Sequence, residues 1–385
     1  MMGVSVADPL ASLKMEVLTN IFSGTLGVAE SRERIGQRAS AIEMKIIDPL
    51  SEPEWDRLAA THPERNFFHS SAWARVLSQT YGHQPFYLHL SQRSKLVALL
   101  PLMEVRSCLT GRRGVSLPFT DFCGPLVFGE MDAGLMWSEV SNFARERKWK
   151  YLELRGQGAA PKSASPSVTF RSHTLDLRDG PEELLAETTG AVRRAIRKAG
   201  ANGLRVQIKR GRDAMVEFYR LHCQTRRRHG IPPQPLSFFL NIHREVIEAG
   251  LGFVVVAELE SRPVAAAVFF HLEKNAIYKF GASDETRQEL RGNNLVMWEG
   301  IRFLAENGFE SLDFGRTSLG NEGLRRFKLG WGTTEETLEY FKFDPAAGAW
   351  LTDRDKSSGF HTALFSRLPL MVNRLAGALL YPHLD

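Results

Sequence analysis

Hydrophobic and polar positions follow two rhythms along this chain, and the pair of rhythms recurs. In the first half, residues 44–48 (MKIID) alternate as a strand, and a helical period follows over 53–60. A second helix starts behind HSSAW (69–73), where Ser70 or Ser71 supplies a cap. Strands are expected at FYLHL (86–90) and LVALLPLMEV (96–105). The glycine-rich connection GRRGVSLPFTDFCGPL (111–126) then leads to a helix over 135–147 and the strand KYLELRG (150–156).

The second half repeats the theme. SHTLDL (172–177) reads as a strand, and Pro181 opens a helix at its first turn. AVRRAIRKAGANGLRVQIKR (191–210) reads as a basic helix closed by Gly203, then a strand. Helices over 213–229 and 236–249 precede three strands in meander form, GFVVVAELE, RPVAAAVFFHL and NAIYKFGAS. Glu260-Ser261-Arg262 and Glu273-Lys274-Asn275 are short enough to be hairpin turns. A helix over 294–307, with Asn294 a candidate N-cap, and the strand SLDFG (311–315) complete the set.

Length and composition narrow the class. With 385 residues, 43% of them hydrophobic and 24% charged, the chain fits a globular protein of two domains. Its longest apolar run, VAAAVFF (264–270), is far short of the ~20 residues of a membrane-spanning helix. Cys108, Cys123 and Cys223 are widely spaced, which points to a reducing compartment and no metal site. The first 43 residues lack the pattern of a signal peptide and read as a poorly ordered leader, with Met15 and Met44 as alternative starts. A cytoplasmic protein is expected. GxSxG, HExxH and Walker motifs are absent, so nothing demands covalent or metal catalysis.

Charge is concentrated. Residues 191–229 hold twelve Lys or Arg against Asp213 and Glu217, a net +10 in a chain whose total is +5. Such a block is either a solvated helix face or a seat for a polyanion such as a nucleotide pyrophosphate, coenzyme A or tRNA. LDFGRTSLGNEGLRRFKLGWG (312–332) adds a second cationic stretch. In it Arg316 follows Gly315 at a strand end, where an arginine grips a phosphate or carboxylate, or else pairs with Asp313. Adjacent helical residues point about 100° apart, so only one of Arg325 and Arg326 faces a given pocket; Arg325 is nearer the face of Lys328.

The segments FFHSSAWARVLSQTYGHQPFYL, LLPLMEV, VRRAIRKAGANGLRV, NNLVMWEGIRFLAENGFESLDFGRTS and RFKLGWG, in this order, resemble the FemAB family and its GNAT-like relatives. The resemblance covers roughly residues 44–345. It implies an α/β fold with mixed sheets, built as two tandem GNAT-like domains of the acyl-CoA N-acyltransferase type. The expected division is a leader at 1–43, domains at 44–170 and 171–345, and an amphipathic helical tail at 346–385. The second domain would carry the active site.

The same resemblance implies N-acyl or aminoacyl transfer onto a primary amine of a cell-envelope precursor, a peptidoglycan stem peptide or an amino sugar. In FemAB enzymes a lysine in a Phe-Lys context is associated with stabilising charge during transfer; the matching residues here are Phe327 and Lys328. Arg291, Gly292 and Asn293 stand where GNAT enzymes place a pyrophosphate loop before a helix, though Asn293-Asn294 replaces their Gly-x-Gly/Ala signature. Asp121, in a loop between glycines, is a candidate acceptor of the amine proton or a turn cap. Trp73, Tyr81 and His83 belong to an aromatic group that would line a substrate cleft or form a core. Acyl-CoA or aminoacyl-tRNA would serve as co-substrate, with no tightly bound cofactor. The partner would be a small or lipid-linked precursor. The tail would lie against the inner membrane or pack over the domain junction. Acyl-CoA-dependent transfer in exopolysaccharide assembly, and a noncatalytic polyanion-binding module, stay open as other readings.

Overall fold

The computed structural model describes residues 42–129, 132–156, 158, 160–353 and 360–384. The expected leader falls outside the described residues except for Ile42 and Glu43, which open the first strand. The first half runs β1 (Ile42–Ile47), α1 (Glu54–Ala59), α2 (Ser71–Tyr81), β2 (Gln84–Gln92), β3 (Lys95–Ser107) and β4 (Gly111–Val115). Next come β5 (Leu126–Val127), α3 (Ala133–Glu146) and β6 (Leu152–Arg155). A linking strand β7 (Val168–Asp176) is followed by α4 (Pro181–Glu187) and α5 (Gly190–Ala201).

The second half then repeats the order of the first. It comprises β8 (Arg205–Lys209), α6 (Arg212–Arg228), α7 (Leu236–Ile242), β9 (Gly252–Leu259), β10 (Arg262–Leu272) and β11 (Asn275–Ser283). After these stand α8 (Gly292–Glu306), β12 (Ser311–Asp313), β13 (Thr317–Ser318), α9 (Glu322–Leu329), β14 (Thr334–Asp344) and β15 (Ala349–Leu351). The tail forms α10 (Phe360–Arg367) and α11 (Leu370–Leu380). Two details differ from the sequence pattern. Asn294 lies inside α8, whose cap position is taken by Arg291 in the left-handed conformation. Ser70 stands at the start of α2 without a side-chain capping bond.

All these strands join one mixed sheet, ordered β1-β2-β3-β4-β6-β14-β7-β12-β11-β10-β9-β8, with β5, β13 and β15 paired at the side. The repeat is plain in the pairing. Each half is an antiparallel run closed by a parallel pair, β4 with β6 and β11 with β12. Between them β7 and β14 are paired antiparallel from Thr334–Thr174 to Tyr340–Val168. Their positions are exchanged. β7, which follows β6 in the chain, pairs with β12, while β14, which follows the second half, pairs with β6. The expected boundary at 170/171 therefore falls inside β7.

The hairpin turns have the geometry that right-handed strand twist favours. Glu260 and Ser261 both adopt positive φ (50° and 62°), as do Arg93 and Ser94 between β2 and β3. One core runs through both halves: Trp73 of α2 meets Phe238 of α7 and Phe270 of β10, with ring centroids 5.9 and 5.8 Å apart. Burial of these large rings is what fixes α2 against α7.

Candidate active site

β11 and β12 pair only from Asn275–Ser311 to Ile277–Asp313 and then part. Two local features force the parting. On the β10 side the register steps from Val268–Phe280 to Phe269–Tyr278, so Lys279 is the extra residue of a bulge. On the β12 side the strand ends at Asp313, and Gly315 turns the chain with φ +73°. A side chain at Gly315 would be strained, and its Cβ would stand 3.3 Å from the Asp121 carboxylate.

Charged groups converge in the space so opened. Lys279 is nearly buried; its Nζ donates to Asp121 Oδ2 (3.0 Å) and the Phe119 carbonyl (2.8 Å), above the rings of Phe68 and Trp73. Lys328 is 3% exposed, and its Nζ donates to the carbonyls of Gly315 (2.7 Å) and Arg316 (3.0 Å). Burial lowers the Lys328 ammonium to about 8, against the attraction of Asp121 and Asp313. The Arg316 guanidinium lies over Phe170 (4.4 Å) and Tyr340 (5.1 Å), and its charge reaches Asp121.

The two carboxylates behave oppositely. Burial works against ionisation of Asp121, but Lys279, Arg316 and Lys328 together hold it below the usual carboxylate range. Asp313 is raised to about 7 by burial and by the neighbouring Asp121 charge, although it accepts the Gly315 N–H (2.6 Å). It makes no ion pair with Arg316 among the described contacts, which corrects the expected alternative. Asp313, Lys279 and the buried His173 were not singled out as site residues in the sequence. His173 is 0% exposed and held near 4 by burial and by Lys328.

Two cavities of opposite character adjoin the elements that carry this cluster, one at Asp313 and one at the residues next to Lys328 in α9. One, of about 400 Å³, is lined by Asp313, Glu336, Glu64, Ser172 and Thr174, and none of its described lining residues is Lys or Arg. The other, of about 640 Å³, is lined by Arg194, Lys198, Arg291, Arg326 and Phe327, with no acidic residue among those described. α9 links the two regions: Arg326 and Phe327 face the basic cavity, while Lys328 reaches the parting strands.

Several expected site residues lie elsewhere. Arg325 is held by Glu335 (2.7 Å) and Glu322 (3.4 Å), so of the two adjacent arginines it is Arg326 that lines the cavity. Trp73 is fully buried and His83 nearly so, and Tyr81 packs on Phe119, Phe238 and Tyr381. These three pack in an aromatic core and lie outside the cavity linings described above. Arg291, Gly292 and Asn293 do come together at the start of α8, beside a smaller cavity of about 160 Å³. There Asn293 donates to Ser283 Oγ (3.1 Å), and Gly292 packs so closely that a Cβ would stand 2.9 Å from that of Ala265.

Residues 186–336, which include the parting strands and the basic cavity, match the family model described as Acetyltransferase (GNAT) domain. The chain carries a GNAT acyltransferase domain. Among solved structures, this acyltransferase is similar to FemX, with 14% identity and a TM-score of 0.60 over 77% of this chain and 96% of that one. A tandem GNAT protein from the clavulanic acid biosynthesis pathway aligns at 12% identity and TM-score 0.53, over 82% of this chain and 100% of that one. A conserved protein of unknown function from Bacteroides thetaiotaomicron aligns at 13% and 0.51, over 78% and 98%. No curated protein matches by sequence. At these identities the structural likeness establishes the tandem GNAT-like, FemAB-like fold, and the second half supplies the acyltransferase assignment.

Proposed function

We propose that this acyltransferase moves an acyl or aminoacyl group onto a primary amine of a cell-envelope precursor, such as a stem peptide or an amino sugar. The observation that carries the reading is the convergence of Lys328, Lys279, Asp121 and Asp313 where β11 and β12 part, with an acidic cavity at Asp313 and a basic one at the residues next to Lys328. The basic cavity and the start of α8 suit the phosphates of the donor, acyl-CoA or aminoacyl-tRNA. Arg194, Lys198, Arg291 and Arg326 supply the charge there. The cavity holding Asp313, Glu336 and Glu64 suits an acceptor that arrives as an ammonium.

The chemistry needs no covalent enzyme intermediate. Once the ammonium has given up a proton, the neutral amine nitrogen attacks the donor carbonyl, an amide bond forms, the bond to the thiolate or ribose oxygen breaks, and a second amine proton goes to that leaving group. Asp313, poised near neutrality, takes the first proton. Asp121 was the expected acceptor, but its bond to Lys279 and its low proton affinity suit it to holding the cations in place. Lys328 faces the charge that develops on the carbonyl oxygen; losing one such contact raises the barrier by about 3 kcal/mol. Arg316 extends the positive field from its aromatic seat.

The test is a mass-spectrometric transfer assay with coenzyme A thioesters and charged tRNA as donors, over a panel of envelope amines. A defined mass increment on one amine, formed on the order of a hundredfold more slowly by Lys328→Met while thermal stability is kept, is the expected result. Tight polyanion binding with no product from any donor would favour a noncatalytic binding module instead.

A further inference from the structure

The C-terminal helix α11 is mounted with its apolar side outward. Its sequence, LMVNRLAGALL, turns Asn373 and Gly377 into the protein. Asn373 Nδ2 donates to the Phe365 carbonyl (2.9 Å), and Gly377 lies so close to Pro233 that a Cβ would stand 1.9 Å from its carbonyl oxygen. Met371, Leu375 and Leu379 recur every fourth residue on the opposite side, 82%, 62% and 64% exposed. Val372 widens this stripe, and Leu364 of α10 is likewise exposed. A surface helix ordinarily buries its large apolar side chains and wets its polar ones. Here that arrangement is inverted.

The charge around the stripe is one-sided. Residues 360–384 include Arg367 and Arg374 and no Asp or Glu. The basic end of α6 lies alongside: Arg226 donates to the Tyr381 hydroxyl (2.6 Å), and Gly230 packs on the backbone of Thr362. No helix among the described residues is long and apolar enough to cross a membrane. We propose that this face docks on an anionic lipid bilayer, with α11 lying in the headgroup region and its leucines in the acyl boundary. A second copy of the chain fits less well, because two faces on which cations outnumber acids would repel one another where lipid phosphates attract. Such docking would bring a lipid-linked acceptor to the enzyme, but it stands or falls independently of the transfer chemistry.

The experiment is vesicle flotation of the full chain with phosphatidylcholine alone and with phosphatidylcholine–phosphatidylglycerol mixtures. Binding is expected only to the anionic vesicles, weakening as salt is raised. The double variant Leu375→Asp/Leu379→Asp should bind at least tenfold less, with an unchanged circular dichroism spectrum and unchanged transfer to a water-soluble amine. Met371→Gln, a milder change at the most exposed position, gives an intermediate loss and covers the case of a misfolded double variant. Absence of anionic-vesicle binding overturns the proposal, as does binding that Met371→Gln and the double variant leave intact. A dimer seen by light scattering that these substitutions dissolve, without vesicle binding, assigns the face to self-association and overturns it too.

Discussion

Replacing Asp313 by asparagine separates what this carboxyl does for catalysis from what it costs the fold. Its proton affinity is raised to about 7 in the native protein, against ~3.9 for an aspartate in an unfolded chain. Above pH 7 the carboxylate is ionised in both states, and the native site opposes that charge by up to about 4 kcal/mol, at about 1.4 kcal/mol per tenfold in proton affinity. At pH 5 the native carboxyl holds its proton while the unfolded one has largely lost it, and the penalty falls to between about 1 and 2 kcal/mol. The contribution of this group to stability is therefore greatest in acid and is lost as pH rises through 7. Asparagine keeps an acceptor for the Gly315 N–H and carries no charge. Asp313→Asn should thus be more stable than the wild-type chain in urea, by a margin larger at pH 8 than at pH 5. Transfer activity should fall by on the order of a hundredfold or more, as for loss of a general base. An unchanged stability margin between the two pH values, or retained activity, would refute the reasoning.

Two further outcomes follow from the same cluster. kcat/KM should rise through pH 7 as Asp313 ionises and fall through pH 8 as Lys328 loses its proton, and Lys328→Met should remove the alkaline limb; a flat profile from pH 6 to 9 would contradict both assignments. Gly315→Ala should lower stability by about 1–2 kcal/mol through its positive φ, and should lower kcat by crowding Asp121 away from Lys279. Thermal unfolding with parallel kinetics checks this, and a variant with wild-type values in both would remove Gly315 from the site.

Much of the fold is legible in local pattern because its causes are local. Glu260-Ser261 and Glu273 mark tight turns between strands of strong alternation, and the observed meander follows them. The placement of β7 and β14 is not legible, because it depends on pairing between segments more than 150 residues apart. Lys328 stands out in sequence by its Phe-Lys context, whereas Lys279 sits in what reads as an ordinary strand, NAIYKFGAS. Only the bulge opposite Val268 and Phe269 turns its ammonium toward Asp121. Asp313 is hidden for a related reason: a carboxylate at a strand end looks like a turn residue until burial and a second carboxylate are placed beside it. Trp73, Tyr81 and His83 show why the cleft-or-core alternative stays open in sequence, since rings that line a cleft and rings that fill a core share one sequence signature.

The exchange of β7 and β14 ties the two lobes like crossed straps. Cutting the chain at 170/171 would sever β7 and part β6 from its neighbour β14, leaving a raw strand edge that invites aggregation. The ladder that crosses the seam opposes hinge motion between the lobes.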